Sequence, residues 1–409
     1  MNRVVITGMG AVTPLGNDVE TYFKNLFASK VGINKITKFD AEPTGITVAG
    51  EVKNFDSMKR LPKKIARRND DFCNYAMYSA SEAMEMAGLN ENNLKPEDLG
   101  VIYGSGIGGL TTIQEQIIKM HDKGPKRVSP LFVPDSIINM AAGDIAIQFH
   151  ALNTSQGIVT ACSSGTNAIG NAFEYIKNGK AQAMITGGTE ASVNEIGISG
   201  FAALTALSKS TDPLKASLPF DKNRNGFVLG EGAGTLVLEN YDHAQKRGAN
   251  ILAEIVGYGT TSDAYHMTAP DPDGKGAIRA MQQAVDESGA SPQDVDYINA
   301  HGTATADNDS AEAKAIKAVF AGNDHVKVSS TKSMTGHLLG AAGAIEAVAV
   351  VGAIQKNQMP VNVGISHQDE ECPVNLVTEE NKKAPVNLAI SNSFGFGGHN
   401  AVIAIKGVN

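Results

Sequence analysis

The chain runs Val4-Val5-Ile6-Thr7-Gly8-Met9-Gly10-Ala11-Val12-Thr13 near its start and Ala253-Glu254-Ile255-Val256-Gly257-Tyr258-Gly259-Thr260-Thr261-Ser262 past its middle, two similar strand-like stretches. Three further pairs of segments recur in the same order: 99–106 with 295–302, the helical segment after Cys162 with the one after His337, and 183–188 with 388–393. An internal repeat of this kind indicates two copies of one structural unit. The chain is therefore predicted to consist of an N-terminal half, residues 1–249, and a C-terminal half, residues 250–409.

Each half alternates strand-like apolar runs with segments whose apolar residues have helical spacing. This alternation predicts α/β halves with mostly parallel sheets that helices cover on both faces. At 409 residues the chain exceeds the size of a usual single core, which agrees with two units. Two such halves packed together give a five-layered α/β/α/β/α sandwich. Catalytic groups at strand ends and helix starts would then meet between the halves.

Cys162 lies in Thr160-Ala161-Cys162-Ser163-Ser164-Gly165, between a predicted strand and a predicted helix. In the first turn of a helix, free backbone N–H groups and the positive end of the dipole stabilise a thiolate. Small neighbours leave room for a substrate to reach the sulfur. The alternative is a buried structural cysteine, because free cysteine is among the most buried residue types. This segment alone leaves both interpretations open.

Two histidines, His301 and His337, follow β-rich or apolar runs and are surrounded by Gly, Ala, Thr and Ser. Such surroundings are typical of a side chain presented at the end of a strand. A cysteine with two imidazoles suits thioester chemistry, since the sulfur can carry an acyl group while the imidazoles stabilise an oxyanion and move protons. The pattern therefore favours a catalytic role for Cys162.

Composition narrows the class of protein. The chain has 42% hydrophobic and 19% charged residues, and its net charge of −8 argues against a general nucleic-acid binder. Three cysteines are too few and too scattered for a disulfide framework, which is typical of a reducing compartment. The start of the sequence lacks a signal-peptide pattern, and no uninterrupted apolar run has membrane-spanning length. The apolar stretch 340–354 contains Glu346 and is therefore predicted to be a buried helix. The expected location is the cytoplasm, without membrane attachment.

Four blocks carry the residues with chemistry: Thr160-Ala161-Cys162-Ser163-Ser164-Gly165, His301-Gly302-Thr303-Ala304-Thr305, Lys332-Ser333-Met334-Thr335-Gly336-His337 and Asn392-Ser393-Phe394-Gly395-Phe396-Gly397-Gly398. In this order they resemble the signature blocks of the β-ketoacyl-acyl carrier protein synthases, above all the synthase II type of bacterial fatty-acid synthesis. The resemblance extends over nearly the whole chain. Two positions depart from the family's usual residues, Ala304 where Ser is common and His399 where Thr is common, and neither carries the chemistry. Synthases I and II differ at only a few pocket residues.

The resemblance implies the thiolase fold and a decarboxylating Claisen condensation, in which malonyl-acyl carrier protein extends an acyl group on Cys162 to a β-ketoacyl-acyl carrier protein. His301 and His337 would stabilise the enolate formed as CO₂ leaves. The resemblance also implies that Lys332, with Glu346 as its partner, supports the electrostatics of the histidines. Phe396 would form the oxyanion hole with Cys162 and would act as a gate. Thr303 and Thr305 would bind the phosphopantetheine arm, and the acyl pocket would be lined by Ile107, Phe132 and Phe201. The alternatives are a purely structural Lys–Glu pair and simple β-propensity of the threonines. No metal or resident cofactor is expected, because phosphopantetheine arrives on the carrier protein.

The expected partners are an acyl carrier protein and, in a homodimer, a second copy of the chain. Lys63, Lys64, Arg67 and Arg68 form a basic run on a chain that is otherwise net negative. Such a run is usually a solvated helix face, but a dock for an acidic carrier protein explains it at least as well. Apolar stretches at 131–134 and 137–140 would supply a dimer interface and an acyl tunnel, as in the family, or else belong to the core.

Three other functions fit parts of the sequence. Gly104-Ser105-Gly106-Ile107-Gly108-Gly109 satisfies G-x-G-x-x-G, but the acidic residue expected about 20 residues later is missing, which disfavours a dinucleotide site. A thiolase acting on coenzyme A thioesters would use a second catalytic cysteine, and Cys372 lies in an acidic loop that does not suit this role. A non-catalytic chain-length partner of a polyketide synthase would lack Cys162. A condensing enzyme remains the best interpretation.

Overall fold

The computed structural model describes residues 1–408, which form two related α/β halves. The strands are β1 (Val4–Val12), β2 (Asn34–Lys35), β3 (Val48–Ala49), β4 (Leu99–Gly104), β5 (Ser155–Ile158), β6 (Ala183–Glu190), β7 (Gly232–Asn240), β8 (Ala253–Ser262), β9 (Tyr297–Asn299), β10 (Lys327–Ser329), β11 (Leu388–Gly395) and β12 (His399–Lys406). The α-helices are α1 (Val19–Leu26), α2 (Lys63–Ala66), α3 (Asp71–Ala87), α4 (Leu110–Lys123), α5 (Phe132–Ser136), α6 (Met140–Phe149), α7 (Ser164–Lys177), α8 (Glu195–Ala203), α9 (Tyr241–Lys246), α10 (Lys275–Glu287), α11 (Ala306–Val319), α12 (Lys332–Thr335) and α13 (Ala342–Lys356).

Local sequence accounts for most of these elements. Strands β1, β4, β6 and β7 are buried along their whole length, which explains why their apolar runs are continuous and do not alternate with polar residues. Several helices begin at a side-chain cap, as where Asp70 accepts the backbone N–H of Phe72 at the start of α3. The same helix ends at Gly88, which adopts the left-handed conformation that glycine tolerates best.

Ten strands form one continuous sheet in the order β5-β4-β6-β7-β1-β8-β12-β11-β9-β10. The order is symmetric about its centre, where residues 4–6 of β1 pair antiparallel with residues 253–255 of β8. The repeated segments map onto matching places, namely β1 with β8, β4 with β9, α7 with α13 and β6 with β11. The predicted duplication is therefore confirmed. The proposed boundary at residues 249 and 250 falls between α9 and β8, and it stays a prediction.

The expectation of mostly parallel sheets is wrong, because both halves are mixed. Within residues 1–408, the parallel pairs of the large sheet are β4 with β5, β4 with β6, β9 with β10 and β9 with β11. The remaining neighbours pair antiparallel, including the hairpin of β11 and β12. A tight turn can join antiparallel strands, whereas parallel strands need a crossover, and the short segment 396–398 leaves room only for a turn.

Five layers follow from how the helices cover the sheet. Helices α3 and α6 pack on the outer face of the first half, and α10 packs on the outer face of the second with α11 beside it. Helices α7 and α13 lie between the two halves and contact strands of both. The arrangement is the predicted α/β/α/β/α sandwich, with α7 and α13 as the central layer.

The central layer is built from small residues that let the helices approach each other closely. A Cβ on Gly343 of α13 would lie 1.9 Å from Oγ1 of Thr166 in α7, so only glycine fits there. The segment Leu339–Lys356 is long and apolar enough to cross a membrane, with a mean hydropathy of 1.3, but 89% of it is buried inside the fold. It is therefore a core helix, as the sequence predicts. Its start and the start of α7 are brought side by side.

Candidate active site

Cys162 lies in a short 3₁₀ turn, Ala161–Ser163, between β5 and α7. Ala161 has a φ of +51°, a conformation that side chains rarely adopt and that the surroundings must enforce. Hydroxyl groups of the neighbouring residues do so. Ser164 donates to the carbonyl of Ala161 at 2.6 Å and accepts the N–H of Thr160 at 2.9 Å, while Ser163 donates to the carbonyl of Thr160 at 2.8 Å. The Ser and Thr residues around the cysteine thus hold the turn that presents it.

His301 follows β9, and His337 lies between α12 and the turn that precedes α13. The buried carboxylate of Glu312 accepts the backbone N–H groups of His301 and Gly302 at 2.8 and 2.7 Å. The N–H of His337 donates to the carbonyl of Val228 at 2.7 Å. The two imidazole rings are 5.2 Å apart between centroids and nearly perpendicular, at 87°. Both histidines are buried. The prediction that each lies at the end of a strand is confirmed for His301 and wrong for His337, which follows the short helix α12.

Both imidazoles are neutral near pH 7. Burial, and next the positive charge of Lys332, hold the pKa of His301 and of His337 well below the usual value. A neutral imidazole carries one N–H donor and one acceptor nitrogen. Among residues 1–408 the Nδ1 atoms of both rings are buried without a hydrogen-bond partner. Each ring can therefore offer one N–H to a substrate oxygen.

Lys332 and Glu346 form a fully buried ion pair, in which the Lys332 ammonium bonds Oε1 of Glu346. Burial raises the pKa of Glu346, and the charge of Lys332 opposes that rise. Oε2 of Glu346 has no hydrogen-bond partner within the described residues. The pair places a cation close enough to lower the pKa of both imidazoles.

Burial favours the thiol form of Cys162 over the thiolate. Burial raises its pKa to about 12, and Lys332 and the backbone N–H groups of Phe396 and Cys162 itself lower it only in part. The backbone N–H groups at the helix start act in the direction expected for stabilising a thiolate, but burial outweighs them. Both N–H groups act on the sulfur strongly enough to lower its pKa, so they lie near the place where an oxyanion hole would need them.

Seven of the predicted site residues line one cavity of about 460 Å³. Its lining includes Cys162, Phe201, His301, Thr303, Thr305, His337 and Phe396. The hydroxyl groups of Thr303 and Thr305 are 3.0 Å apart in its wall. Ile107 packs with Phe201 against the apolar residues next to Cys162. Phe132 does not line this cavity and is half-buried at the start of α5.

Family patterns and similar proteins show which family the chain belongs to. The pattern of the "Beta-ketoacyl synthase, N-terminal domain" matches residues 1–244, and that of the "Beta-ketoacyl synthase, C-terminal domain" matches residues 252–366. The chain belongs to the β-ketoacyl synthase family. It is 51% identical over 405 residues to 3-oxoacyl-(acyl-carrier-protein) synthase 2 of Staphylococcus aureus, covering 99% of this chain and 98% of the relative. It is 48% identical over 406 residues to the protein of the same name from Synechocystis, with coverage of 99% and 98%.

Solved structures of β-ketoacyl synthases and related ketosynthases share the whole fold. A β-ketoacyl synthase from Burkholderia phymatum has a TM-score of 0.92 at 33% identity, covering 100% of both chains. The second match is a chain from the solved complex of a type II polyketide synthase acyl-carrier protein with its ketosynthase bound to the hexaketide. Its TM-score is 0.92 at 32% identity, again over 100% of both chains. The chain is thus a condensing, acyl-transferring enzyme with the thiolase-like fold.

The four basic residues that are predicted to dock a carrier protein do not line the cavity that holds Cys162. Lys63 and Lys64 are in the short helix α2, and Arg67 and Arg68 follow it directly. All four side chains are exposed. Exposure fits both a solvated face and a dock, so their role stays a prediction.

Sequence reasoning missed two buried carboxylates that shape the site. Glu312 in α11 fixes the His301 backbone, and burial raises its pKa to about 7. Glu190 ends β6 and accepts backbone N–H groups from two distant segments, after β4 and before α13. An acid at the end of an apolar strand or within an alanine-rich helix is the one sequence signal that could have indicated them.

Proposed function

We propose that this chain extends an acyl group on Cys162 with malonyl-acyl carrier protein in fatty-acid elongation, releasing CO₂ and forming a β-ketoacyl-acyl carrier protein. The observation that carries the proposal is the meeting of one thiol and two neutral imidazoles in a single cavity. The relatives named 3-oxoacyl-(acyl-carrier-protein) synthase 2, at 51% and 48% identity over nearly the full length, support the same reaction.

Acyl transfer to Cys162 comes first. The sulfur attacks the thioester carbon of the acyl-carrier protein, forming a new S–acyl bond as the carbon–sulfur bond to the carrier breaks. The proton of the Cys162 thiol ends on the departing carrier thiol. The N–H groups of Cys162 and Phe396 would hold the oxyanion of the tetrahedral intermediate.

Decarboxylation and carbon–carbon bond formation follow. His301 and His337 each donate one N–H to the thioester carbonyl of malonyl-carrier, which stabilises the enolate that forms when the carbon–carboxylate bond breaks and CO₂ departs. The enolate carbon attacks the carbonyl carbon of the Cys162 thioester, the carbon–sulfur bond to Cys162 breaks, and the β-ketoacyl chain stays on the carrier. The released Cys162 thiolate takes up a proton from solvent, which restores the thiol. Neutral imidazoles suit this role, since only donors are needed and no proton has to be given away. No step calls on a metal or a resident cofactor.

The carrier protein would reach the site through its phosphopantetheine arm. Thr303 and Thr305 lie in the cavity wall, where their hydroxyl groups can bond the amides of the arm. The exposed basic run at Lys63, Lys64, Arg67 and Arg68 is the proposed dock for the acidic carrier surface. We assign the reaction to the cytoplasm, since Cys73, Cys162 and Cys372 are all free thiols.

A second copy of the chain is the other proposed partner. β5 is the terminal strand of the large sheet and half of it is exposed, which leaves an edge open for pairing. Large apolar side chains next to it are exposed, with Ile147 at 77%, Leu152 at 53% and Val159 at 53%. Light scattering is expected to give about twice the chain mass of 42.8 kDa. A mass of one chain at micromolar concentration would rule the homodimer out.

Two sets of variants test the reaction. Cys162→Ser should abolish condensation, because an alcohol is a far poorer nucleophile than a thiol that can ionise. Mass spectrometry of the parent after incubation with acyl-carrier should show an adduct on Cys162, and an adduct on Cys73 or Cys372 instead would overturn the assignment.

His301→Ala and His337→Ala should still accept the acyl group, yet release CO₂ from malonyl-carrier ~10²–10³-fold more slowly. Normal CO₂ release by both histidine variants would refute the enolate role.

A further inference from the structure

We propose that Glu190 is a specificity-determining positioning residue, whose carboxylate fixes the backbone at Ile107 and Leu339 and so sets which acyl chains the site admits. Both residues belong to the apolar cluster beside Cys162, together with Val193, Ile198 and Phe201. The inference rests on the proposed function, because it takes this cluster to be the pocket for the acyl chain on Cys162.

The contacts of Glu190 converge from segments far apart in the chain. Its Oε1 accepts the backbone N–H of Ile107 at 3.1 Å. Its Oε2 accepts the backbone N–H groups of Gly106 at 2.8 Å and of Gly340 at 3.0 Å. Hydroxyl groups of Ser105 and Ser192 complete the set, each at 3.3 Å from Oε1. One fully buried side chain therefore joins the loop after β4 in the first half to the turn before α13 in the second half.

The junction has no spare room, so the carboxylate determines where the two segments lie. A Cβ on Gly340 would be 2.3 Å from the nitrogen of Gly106 and 2.8 Å from Oε2 of Glu190. A Cβ on Gly106 would be 2.7 Å from the same oxygen. Because neither segment can move toward the other, the hydrogen bonds of Glu190 fix their separation.

Leu339 shows that this restraint acts on a strained backbone. Its φ is +46°, which is unfavourable for a large side chain and persists only where the surroundings impose it. The peptide N–H that follows Leu339 is the N–H of Gly340, which Glu190 accepts. Releasing that bond would let Leu339 relax and would move its side chain in the wall of the cavity that holds Cys162.

Glu190→Gln is the direct test, since it keeps the size of the side chain but replaces one acceptor oxygen by an NH₂ group that opposes the bound N–H groups. Acyl transfer to Cys162 is measured by mass spectrometry with eight-carbon and sixteen-carbon acyl-carrier proteins. We expect the ratio of the long-chain rate to the short-chain rate to rise about tenfold, the effect of one lost hydrogen bond to a charged group. The rise follows because a freed Ile107 can step aside for the longer chain.

Glu82→Gln is the matched control, because the buried Glu82 carboxylate also accepts two backbone N–H groups, those of Ala11 at 3.0 Å and Val19 at 2.8 Å, outside the cavity. It should lower the melting temperature without changing the chain-length ratio. Should Glu190→Gln fail to fold, Ser105→Ala removes one donor to the carboxylate and the acceptor of the Gly108 N–H, and should raise the ratio about threefold.

The outcomes separate the two proposals. A parent protein that forms no adduct on Cys162 would refute the proposed function itself. A parent that is acylated, with variants at Glu190 and Ser105 that slow both chain lengths equally, would overturn the inference and leave Glu190 as a structural residue like Glu82. A changed ratio in Glu190→Gln with an unchanged ratio in Glu82→Gln supports it.

Discussion

Lys332 is the buried charge on which the electrostatics of the site depend. Burial is the main cause of the low pKa of His301 and His337, and the ammonium of Lys332 lowers both further. The same charge opposes the rise that burial causes in the pKa of the Cys162 thiol. Its only salt bridge within the described residues is to Glu346. A pair kept for stability alone would have no effect on decarboxylation, whereas a pair kept for its field would.

The double substitution Lys332→Met with Glu346→Met separates these two roles. Replacing both members of a buried pair by well-packed hydrophobic residues is often neutral or stabilising by about 1–4 kcal/mol, while removing one costs about 3–5 kcal/mol. We therefore expect the double variant to unfold in denaturant near the parent, Lys332→Met alone to be strongly destabilised, and CO₂ release from malonyl-carrier to fall in both.

The same double variant makes a prediction about pH. Because Lys332 depresses the imidazole pKa values, its removal should raise them toward the ordinary value, and the acid limit of decarboxylation should move to higher pH. NMR titration of the two imidazoles and the pH profile of CO₂ release check this. An unshifted profile with a stable, active double variant would mean that the pair is only structural.

For single residues, the sequence predicts the side chains that react better than the side chains that hold them in place. Cys162, His301 and His337 could be recognised because their residue types and small neighbours are visible locally. For Glu190 and Glu312 the sequence shows only an acid in an apolar strand or an alanine-rich helix. Their partners stay hidden, because these are backbone N–H groups, some from distant segments, that any residue supplies. Phe132, assigned to the acyl pocket by family resemblance, lies outside the cavity of this single chain.

Among the elements, the turn between β11 and β12 sets the position of Phe396. Gly397 and Gly398 have φ of +86° and +76°, which favours glycine at both positions. The N–H of Gly397 donates to the carbonyl of Met267 at 2.8 Å, and the carbonyl of Gly398 accepts the N–H of Asp263 at 2.9 Å. The turn thus holds the Phe396 N–H near Cys162, whose pKa it lowers, and is itself held by hydrogen bonds to the segment after β8.

Gly398→Ala should disturb that position. The new Cβ would be strained by its positive φ and would lie 3.0 Å from Cβ of Asp263, so the turn must shift. We expect acyl transfer to Cys162 to slow about tenfold, as a misplaced oxyanion-hole donor requires. Gly289→Ala is the control, with a φ of +72° and nothing within 4 Å of the new Cβ. Equal effects of the two variants on acyl transfer would show that backbone strain alone, and not the turn, is responsible.

Element order could be predicted from the repeat, but strand direction could not. The recurring segments correctly pair β1 with β8, β4 with β9 and α7 with α13. Strand direction depends on whether a connection turns back or crosses over. The antiparallel pair of β6 and β7 is joined by the long segment 191–231, which contains the helix α8, so the sequence does not show that this connection turns back.

The whole molecule carries a net charge of −8, against which the exposed basic run around α2 stands out. Lys64→Glu with Arg67→Glu should slow association with an acidic carrier protein and weaken its salt dependence, since exposed charges act on encounter and are screened over ~8–10 Å. A small pantetheine thioester should still acylate Cys162 at the parent rate. Both rates are measured across ionic strengths.

Lys24→Glu with Lys30→Glu makes the same change of net charge on exposed residues of and after α1. It should leave carrier association close to the parent rate if the dock is local. Loss in both double variants would indicate a general effect of charge, and no loss in either would mean that the basic run is a solvated face.

The symmetric strand order bears on the evolutionary origin of the protein. The turn Leu339–Ala341 before α13 occupies the place that Ala161–Ser163 occupies before α7, and Leu339 and Ala161 share a positive φ, +46° and +51°. Gly340 is thus the counterpart of Cys162. A fold of this form is what remains when the gene of a half-length, self-associating ancestor is duplicated and fused. Such an ancestor would have carried two equivalent sites, of which one retains its nucleophile while the other has become part of the wall that its twin uses.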